Sequence, residues 1–147
     1  MPKMITTEAH FEHITFHRET LKYYVLNIGE PRFSELDPYS MLWNGHYVNY
    51  FEHARQLLGR YTQLNTDLLE QYGFRIPIYS YNLKMRNPVT GNDQLRVAVR
   101  PVGFRKGLLE FFHIMLVGNE IRATGNTIHA VVDIRTRSIA YPLPDLV

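Results

Sequence analysis

Asp37 is followed at once by Pro38 and, a few residues on, by the start of a helix-like run at Tyr47. Nowhere else in the chain do a carboxylate, a tight turn and a helix start lie so close together. A helix start leaves several backbone N–H groups unpaired and carries a partial positive charge, so it can hold a developing oxyanion. A carboxylate a few residues upstream can then act as nucleophile or general base on a carbonyl bound there. The pairing suggests acyl transfer, although Asp-Pro is also ordinary turn chemistry. The oxyanion donors would be the backbone N–H groups of Gly45, His46 and Tyr47. Asn44, inside the same loop, can position a water or the carbonyl. The His46 side chain suits orienting the loop or bonding across a subunit contact better than shuttling protons. An unperturbed Asp has a pKa of about 3.9 and is ionised at neutral pH, which suits a nucleophile; a general base would gain from burial beside aromatics.

The elements that position these residues follow from periodicity. Leu21 to Ile28 is aromatic and β-branched and reads as a strand, interrupted by Gly29 and Pro31. Extended chain at Arg32-Phe33-Ser34 delivers Asp37 to its turn. Tyr47, Phe51, Ala54, Leu58, Tyr61, Asn65, Leu68 and Tyr72 then step by four and three, one apolar helical face ending at Gly73. Asn65-Thr66-Asp67 can break this run and recap a short second helix, since Asp67 and Glu70 have capping-box spacing. Gly59 in the helix interior implies close packing. Ile76 to Met85, Gln94 to Val102, Leu108 to Val117 and Glu120 to Ile134 are strand-like, joined by Pro88–Asp93, Arg105–Gly107 and the two-residue hairpin Gly118-Asn119. One apolar helix with a run of antiparallel strands gives an α+β architecture, a curved sheet around the helix. Residues 1–9 read as a loose tail and Tyr141–Pro144 as an extended end. His10, His13 and His17 share a helical face, but without a carboxylate or cysteine pattern the segment reads as polar surface and no metal site is expected.

Composition narrows the function classes. The 147 residues suit one domain spanning 1–147, and 45% hydrophobic with 20% charged residues is the balance of a globular protein. Sixteen basic and 14 acidic residues are interspersed and give a net charge of +2, so nucleic acid is a poor partner while an anionic small molecule is suitable. The absence of cysteine excludes a thiol nucleophile and thiolate metal sites. No apolar run approaches membrane-span length and the N-terminus lacks a signal-peptide core, so no membrane partner and a cytoplasmic location are expected.

The order of elements, with its motif ahead of the helix, resembles the hotdog fold and specifically the 4-hydroxybenzoyl-CoA thioesterase-like family. The residues that carry the resemblance are Arg32-Phe33, Glu35-Leu36-Asp37, Tyr47 ten positions beyond Asp37, and Phe51-Glu52-His53-Ala54-Arg55. Downstream, Met85-Arg-Asn-Pro88 with Gly91-Asn-Asp93 is similar to the family's Pro…Gly-Asp step between strands. The chain departs from the pattern in having Ser40 where many members have Gly, Asn44 where others place His or Tyr, and His46 where Asn is usual; Trp43 matches an aromatic of the 4-hydroxybenzoyl-type enzymes.

The resemblance implies an antiparallel sheet of about five strands wrapped around one long central helix. It also implies a homodimer or homotetramer with its site between subunits, and hydrolysis of a small or medium acyl- or aryl-CoA without a metal or cofactor. Asp37 would attack the thioester or activate water. Some hotdog thioesterases place their carboxylate on the helix, which makes Glu52 a second catalytic candidate; the alternative is an i,i+3 pair with Arg55 that supports the helix. Tyr39 and Trp43 are expected at the substrate, one tyrosine of the helix can line the acyl pocket, and Arg86, Arg100, Arg105 and Lys106 can meet the coenzyme A phosphates. An acyl-carrier-protein thioesterase and a non-catalytic acyl-ligand binding module are the alternatives; a hotdog dehydratase is disfavoured because no histidine pairs with a carboxylate in that arrangement.

Overall fold

The computed structural model describes residues 10–62 and 64–139. The expected tail at 1–9 and the extended end at Tyr141–Pro144 lie outside the described residues. The chain runs β1 (His10–Phe16), β2 (Glu19–Gly29), a 3-10 turn (Phe33–Glu35), α1 (Asn44–Arg60), α2 (Thr66–Gln71), β3 (Phe74–Arg75), β4 (Ile78–Met85), β5 (Leu95–Arg105), β6 (Leu108–Val117), β7 (Glu120–Ala130) and β8 (Val132–Asp133). Six strands form one antiparallel sheet in the order β1-β2-β5-β6-β7-β4, and β3 pairs with β8 in a short ribbon. This is the curved sheet around one long helix that the sequence implies, with one strand more than the expected five.

The additional strand is β1. Its sequence reads as polar surface; it is instead an edge strand held to β2 by a continuous ladder from His10–Val25 to Phe16–Glu19. Backbone pairing needs no strong apolar alternation at an edge, and the side chains of β1 stay exposed or half-buried. His17 falls in the following turn at φ +50°, so the three histidines do not share a helical face. Among the described residues no cluster of His, Asp and Glu is arranged to hold a metal ion.

The face of α1 read from the sequence is the core. Tyr47, Phe51, Ala54 and Leu58 are almost completely buried, and Tyr50 and Leu57 widen the stripe. They pack against Leu26 and Ile28 of β2, Leu95, Val97 and Val99 of β5, and Leu109, Phe111 and Met115 of β6. Burying each large side chain contributes about 1.5–3 kcal/mol, so this layer dominates the stability of the helix–sheet contact. Gly125 of β7 belongs to the same fit: a Cβ there would stand 2.7 Å from the Phe51 ring.

The helix begins three residues before Tyr47 and stops at Arg60, where the expected single face breaks. Tyr61 and Tyr72 are therefore 53% and 60% exposed rather than core. Gly59 does pack closely, since a Cβ would lie 3.1 Å from the Leu64 carbonyl oxygen. The second helix is capped by Asn65, not Asp67: the Asn65 side-chain oxygen accepts from the N–H groups of Asp67 and Leu68 at 2.8 and 3.3 Å.

The opposite face of the sheet carries a second apolar cluster of Tyr23, Val25, Ala98, Ile114 and Leu116. Phe16 of β1 reaches Phe112 of β6 there, with ring centroids 5.4 Å apart. At the other edge, β4 presents Ile78, Tyr79 and Met85 to solvent.

Candidate active site

The segment between β2 and α1 has little regular structure and is fixed by its polar groups. In the 3-10 turn, the Glu35 carboxylate accepts from the Arg32 N–H at 2.7 Å and from the Tyr50 hydroxyl of α1 in a very short bond. The Glu35 carbonyl accepts from the Trp43 N–H at 2.9 Å. One residue thus ties the loop both to the helix body and to the helix start. Burial and the adjoining Glu35 carboxylate push the Tyr50 phenol well above its ordinary pKa, so the phenol stays protonated and remains the donor.

Asp37 sits at the head of the turn. Its N–H donates to the Met41 carbonyl at 2.7 Å and its carbonyl accepts from the Ser40 N–H at 3.0 Å. Its carboxylate Oδ1 accepts from the Tyr39 and Met41 N–H groups at 2.8 and 3.1 Å. Among the described residues Oδ2 has no hydrogen-bond partner. The turn requires Ser40 to adopt φ +60°. A left-handed conformation costs about 1–2 kcal/mol for a residue with a Cβ, so glycine would fit this position with less strain than Ser40.

Trp43 occupies the N-cap of α1 without a side-chain cap bond. The His46 N–H donates to the Trp43 carbonyl at 3.0 Å, so one of the three expected oxyanion donors is engaged inside the helix. The N–H groups of Asn44 and Gly45 precede the first helical bonds and meet no acceptor among the described residues. The Trp43 indole folds back over Gly45 so closely that a Cβ on Gly45 would fall 2.0 Å from the ring. Gly45 is required by this ring, not by backbone freedom.

A second loop holds this start in place. The buried Val89 carbonyl accepts from the Leu42 N–H at 2.7 Å, and its N–H meets the Tyr47 phenol, whose pKa burial raises despite that bond. Thr90 bridges to Met41. The loop is itself latched: Asp93 Oδ2 accepts from the Thr90 N–H at 2.8 Å and from Arg122 of β7 at 2.9 Å, and Arg122 also donates to the Pro88 carbonyl at 2.7 Å. Glu120 lies 2.6 Å from Arg122 Nε as an ion pair without hydrogen-bond alignment. Burial alone would raise the Asp93 pKa; the Thr90 N–H and the Arg122 charge outweigh it and hold the carboxyl below its ordinary value. Arg122 is a positioning residue that sequence reasoning missed, and Glu35 enters that reasoning only as part of the motif ahead of Asp37, without its bonds to Tyr50 and Trp43. Arg122 stands 29 positions from its partner Asp93, beyond any local pattern.

Between the two loops opens a cleft of about 420 Å³ lined by Asp37, Trp43, Asn44, Tyr47, Met85 and Arg86, among others. Five residues singled out in the sequence therefore meet in one place. Gly45 adjoins the cleft as the neighbour of Asn44, the His46 side chain borders a different cavity, and the others lie away from it. Tyr39 is 78% exposed and contributes only its N–H to Asp37. Glu52 lies on the exposed side of α1 and borders two other cavities instead of this cleft. It makes no ion pair with Arg55 within 4.0 Å; Arg55 donates instead to Nε2 of the buried His113 at 3.2 Å. Arg100 points to the far face of the sheet, over the Tyr23 ring at 5.8 Å, while Arg105 and Lys106 are exposed at the β5–β6 turn. Of the four cations expected at phosphates, Arg86 alone is at the cleft.

The profile of the thioesterase-like superfamily matches residues 31–147. A search of curated proteins finds no match. Among solved structures, a hypothetical protein of Thermus thermophilus superposes with a TM-score of 0.73 at 22% identity, over 83% of this chain and 92% of that one. A thioesterase from the same organism, complexed with coenzyme A and zinc, gives 0.70 at 24% identity over 83% and 86% of the two chains. A 1,4-dihydroxy-2-naphthoyl-CoA thioesterase from Synechocystis gives 0.72 at 14% identity over 83% and 90%. At these identities the structural likeness is one of fold.

Proposed function

The chain belongs to the thioesterase-like superfamily, and from that premise we propose that it hydrolyses the thioester of a small or medium acyl- or aryl-CoA in the cleft at Asp37. The observation that carries the reading is the division of labour within one carboxylate. Oδ1 is anchored by two backbone donors, whereas Oδ2 has no partner among the described residues, in a cleft that begins at the uncapped start of α1.

Two donors on one oxygen fix the carboxylate plane. With the thioester carbonyl in the cleft, its oxygen is met by the Asn44 and Gly45 N–H groups, where negative charge develops in the transition state. As nucleophile, Oδ2 bonds to the carbonyl carbon, the C–S bond breaks and the coenzyme A thiolate leaves to take a proton from water; water then cleaves the mixed anhydride. As general base, Oδ2 takes the proton of a water that attacks the same carbon directly, after which the C–S bond breaks and the thiolate leaves with that proton. The Trp43 ring and Met85 supply apolar wall for the acyl group, and Arg86 at the rim supplies a cation for a phosphate. No helix among the described residues is long and apolar enough to cross a membrane. The exposed apolar edge of β4 supports joining of two sheets in a homodimer or a larger assembly, with one domain per chain.

Acetyl-, hexanoyl-, palmitoyl- and benzoyl-CoA, assayed by trapping the released thiol with a dye, test the proposal. Asp37→Asn keeps the size and the Oδ1 acceptor; kcat is expected to fall by about 10²–10⁴-fold with KM nearly unchanged. Undiminished turnover in Asp37→Asn would transfer the chemistry to Glu52. Absence of turnover on every CoA ester would direct the assay to acyl-carrier-protein thioesters. A single turnover in ¹⁸O-water places the label on the Asp37 carboxylate only by the nucleophilic route.

A further inference from the structure

A second cavity, of about 400 Å³, lies at the opposite end of β4, between the second half of α1, the α1–α2 connection and the start of β4. It falls in the size range of small-molecule sites. Its wall includes Phe111, Leu64, Ile76 and Ile78 as apolar surface and the Arg55 guanidinium as a cation. Arg55 is half-buried, yet no carboxylate lies within 4.0 Å of it among the described residues; its only hydrogen bond there goes to His113 through one terminal nitrogen. Partly buried guanidinium groups normally find a carboxylate or phosphate, because five donors in a planar fork are costly to leave unmatched.

The neighbours of Arg55 cannot supply that partner. His113 donates Nδ1–H to the Gly125 carbonyl and accepts from Arg55, so it is neutral and fully engaged. His129 donates to the Ile76 carbonyl at 2.8 Å and accepts from the Thr127 hydroxyl at 3.0 Å. Tyr81, close enough to feel the Arg55 charge, keeps a buried hydroxyl without a hydrogen-bond partner among the described residues. At the mouth, Arg60 and Asp67 are exposed and opposite in sign, and Glu52, also exposed, acts on Arg55 through its charge without coming within 4.0 Å of the fork. The cavity therefore sets a guanidinium that no carboxylate contacts beside the apolar surface of Phe111, Leu64, Ile76 and Ile78, with polar side chains completing the wall.

We propose that this cavity binds a small organic carboxylate, with the Arg55 fork gripping the carboxyl group and an apolar body of benzoate size lying against Phe111, Ile76 and Ile78. The site is separate from the Asp37 cleft, and occupying it needs no turnover.

Titration calorimetry with benzoate, against benzamide as the neutral isostere, tests this on the wild-type protein, Arg55→Lys and Asp37→Asn. Benzoate is expected to bind wild type and Asp37→Asn equally, benzamide at least about tenfold more weakly, and Arg55→Lys to lose about tenfold in benzoate affinity because an ammonium cannot reproduce the planar fork. A second measurement needs no variant: benzoate, and not benzamide, should protect Arg55 of the wild type from phenylglyoxal, read by peptide mass mapping. Equal binding of acid and amide, or benzoate that leaves Arg55 unprotected, overturns the proposal. Benzoate affinity that changes in Asp37→Asn but not in Arg55→Lys also overturns it and places the acid in the other cleft. Loss of hydrolysis in Asp37→Asn with benzoate binding intact separates this site from the catalytic reading.

Discussion

Replacing Arg122 with Met removes a guanidinium and keeps most of its apolar stem. Arg122 and Asp93 retain 16% and 18% of their side-chain exposure, so the pair lies between two measured limits. Exposed pairs contribute about 0–1 kcal/mol, and breaking a fully buried one costs about 3–5 kcal/mol because it strands the other charge. Asp93 would keep its Thr90 donors, and the Pro88 carbonyl would lose one. A loss of about 2 kcal/mol is expected, which for a chain of this size lowers Tm by about 4–8 °C. Function should suffer as well, since the latched loop supplies the Val89 groups that hold Leu42 and Tyr47 at the cleft. The pH dependence has a defined sign. Asp93 has a folded pKa below its ordinary 3.8, so its contribution is complete above that value and is lost as pH falls through the lowered folded pKa. Urea unfolding of wild type, Arg122→Met, Asp93→Asn and the double variant, at pH 7 and in steps below pH 4, reads both effects. A change under about 0.5 kcal/mol in Arg122→Met, or additive single effects with no coupling, would refute the latch.

Three further outcomes are expected. Gly45→Ala should drive the Trp43 indole off the helix start; Trp43 is the single tryptophan, so its fluorescence reports the displacement directly, and kcat should drop by about ten- to a hundredfold. Gly125→Ala should cost about 1–3 kcal/mol in chemical denaturation, because the new methyl meets the Phe51 ring inside a filled core. His113 is pushed from an ordinary 6.5 down to about 3 by burial and the Arg55 charge. Its contribution to stability is therefore present above pH 6.5 and erodes as pH falls from there toward 3, and His113→Gln should flatten the stability profile over that window.

What the sequence made legible depended on whether a signal was local. Tyr47, Phe51, Ala54 and Leu58 repeat at the helical period, and the Asp37-Pro38 turn is a chemical motif, so both could be read and both sit where expected. β1 escapes such a reading because an edge strand is held by its backbone ladder and needs few buried side chains. Tyr61 and Tyr72 read as core because they keep the period across a break that Asn65 enforces through its cap bonds. Arg122 and the Arg55–His113 bond have no local signature at all, and although Glu35 stands in the acidic-x-Asp motif, its bond to Tyr50 has none, since each contact depends on which strands, helices and loops become neighbours.

The site illustrates why such distant contacts matter for chemistry. Asp37 is ordinary in its own turn; Tyr39 and Met41 would satisfy its Oδ1 in any Asx-type turn. In the proposed mechanism, what would turn that carboxylate toward a substrate is the distance between its second oxygen and the start of α1, and the turn alone does not set that distance. Glu35 sets it from one side by bonding both Tyr50 and Trp43, and Val89 from the other by bonding Leu42 and meeting Tyr47. Both anchors are polar, partly or wholly desolvated and therefore strong in a low-dielectric setting. Loosening either would leave the fold standing on its apolar layer while the oxyanion donors drift from the carboxylate. Variants at these anchors should consequently lose turnover well before they lose structure.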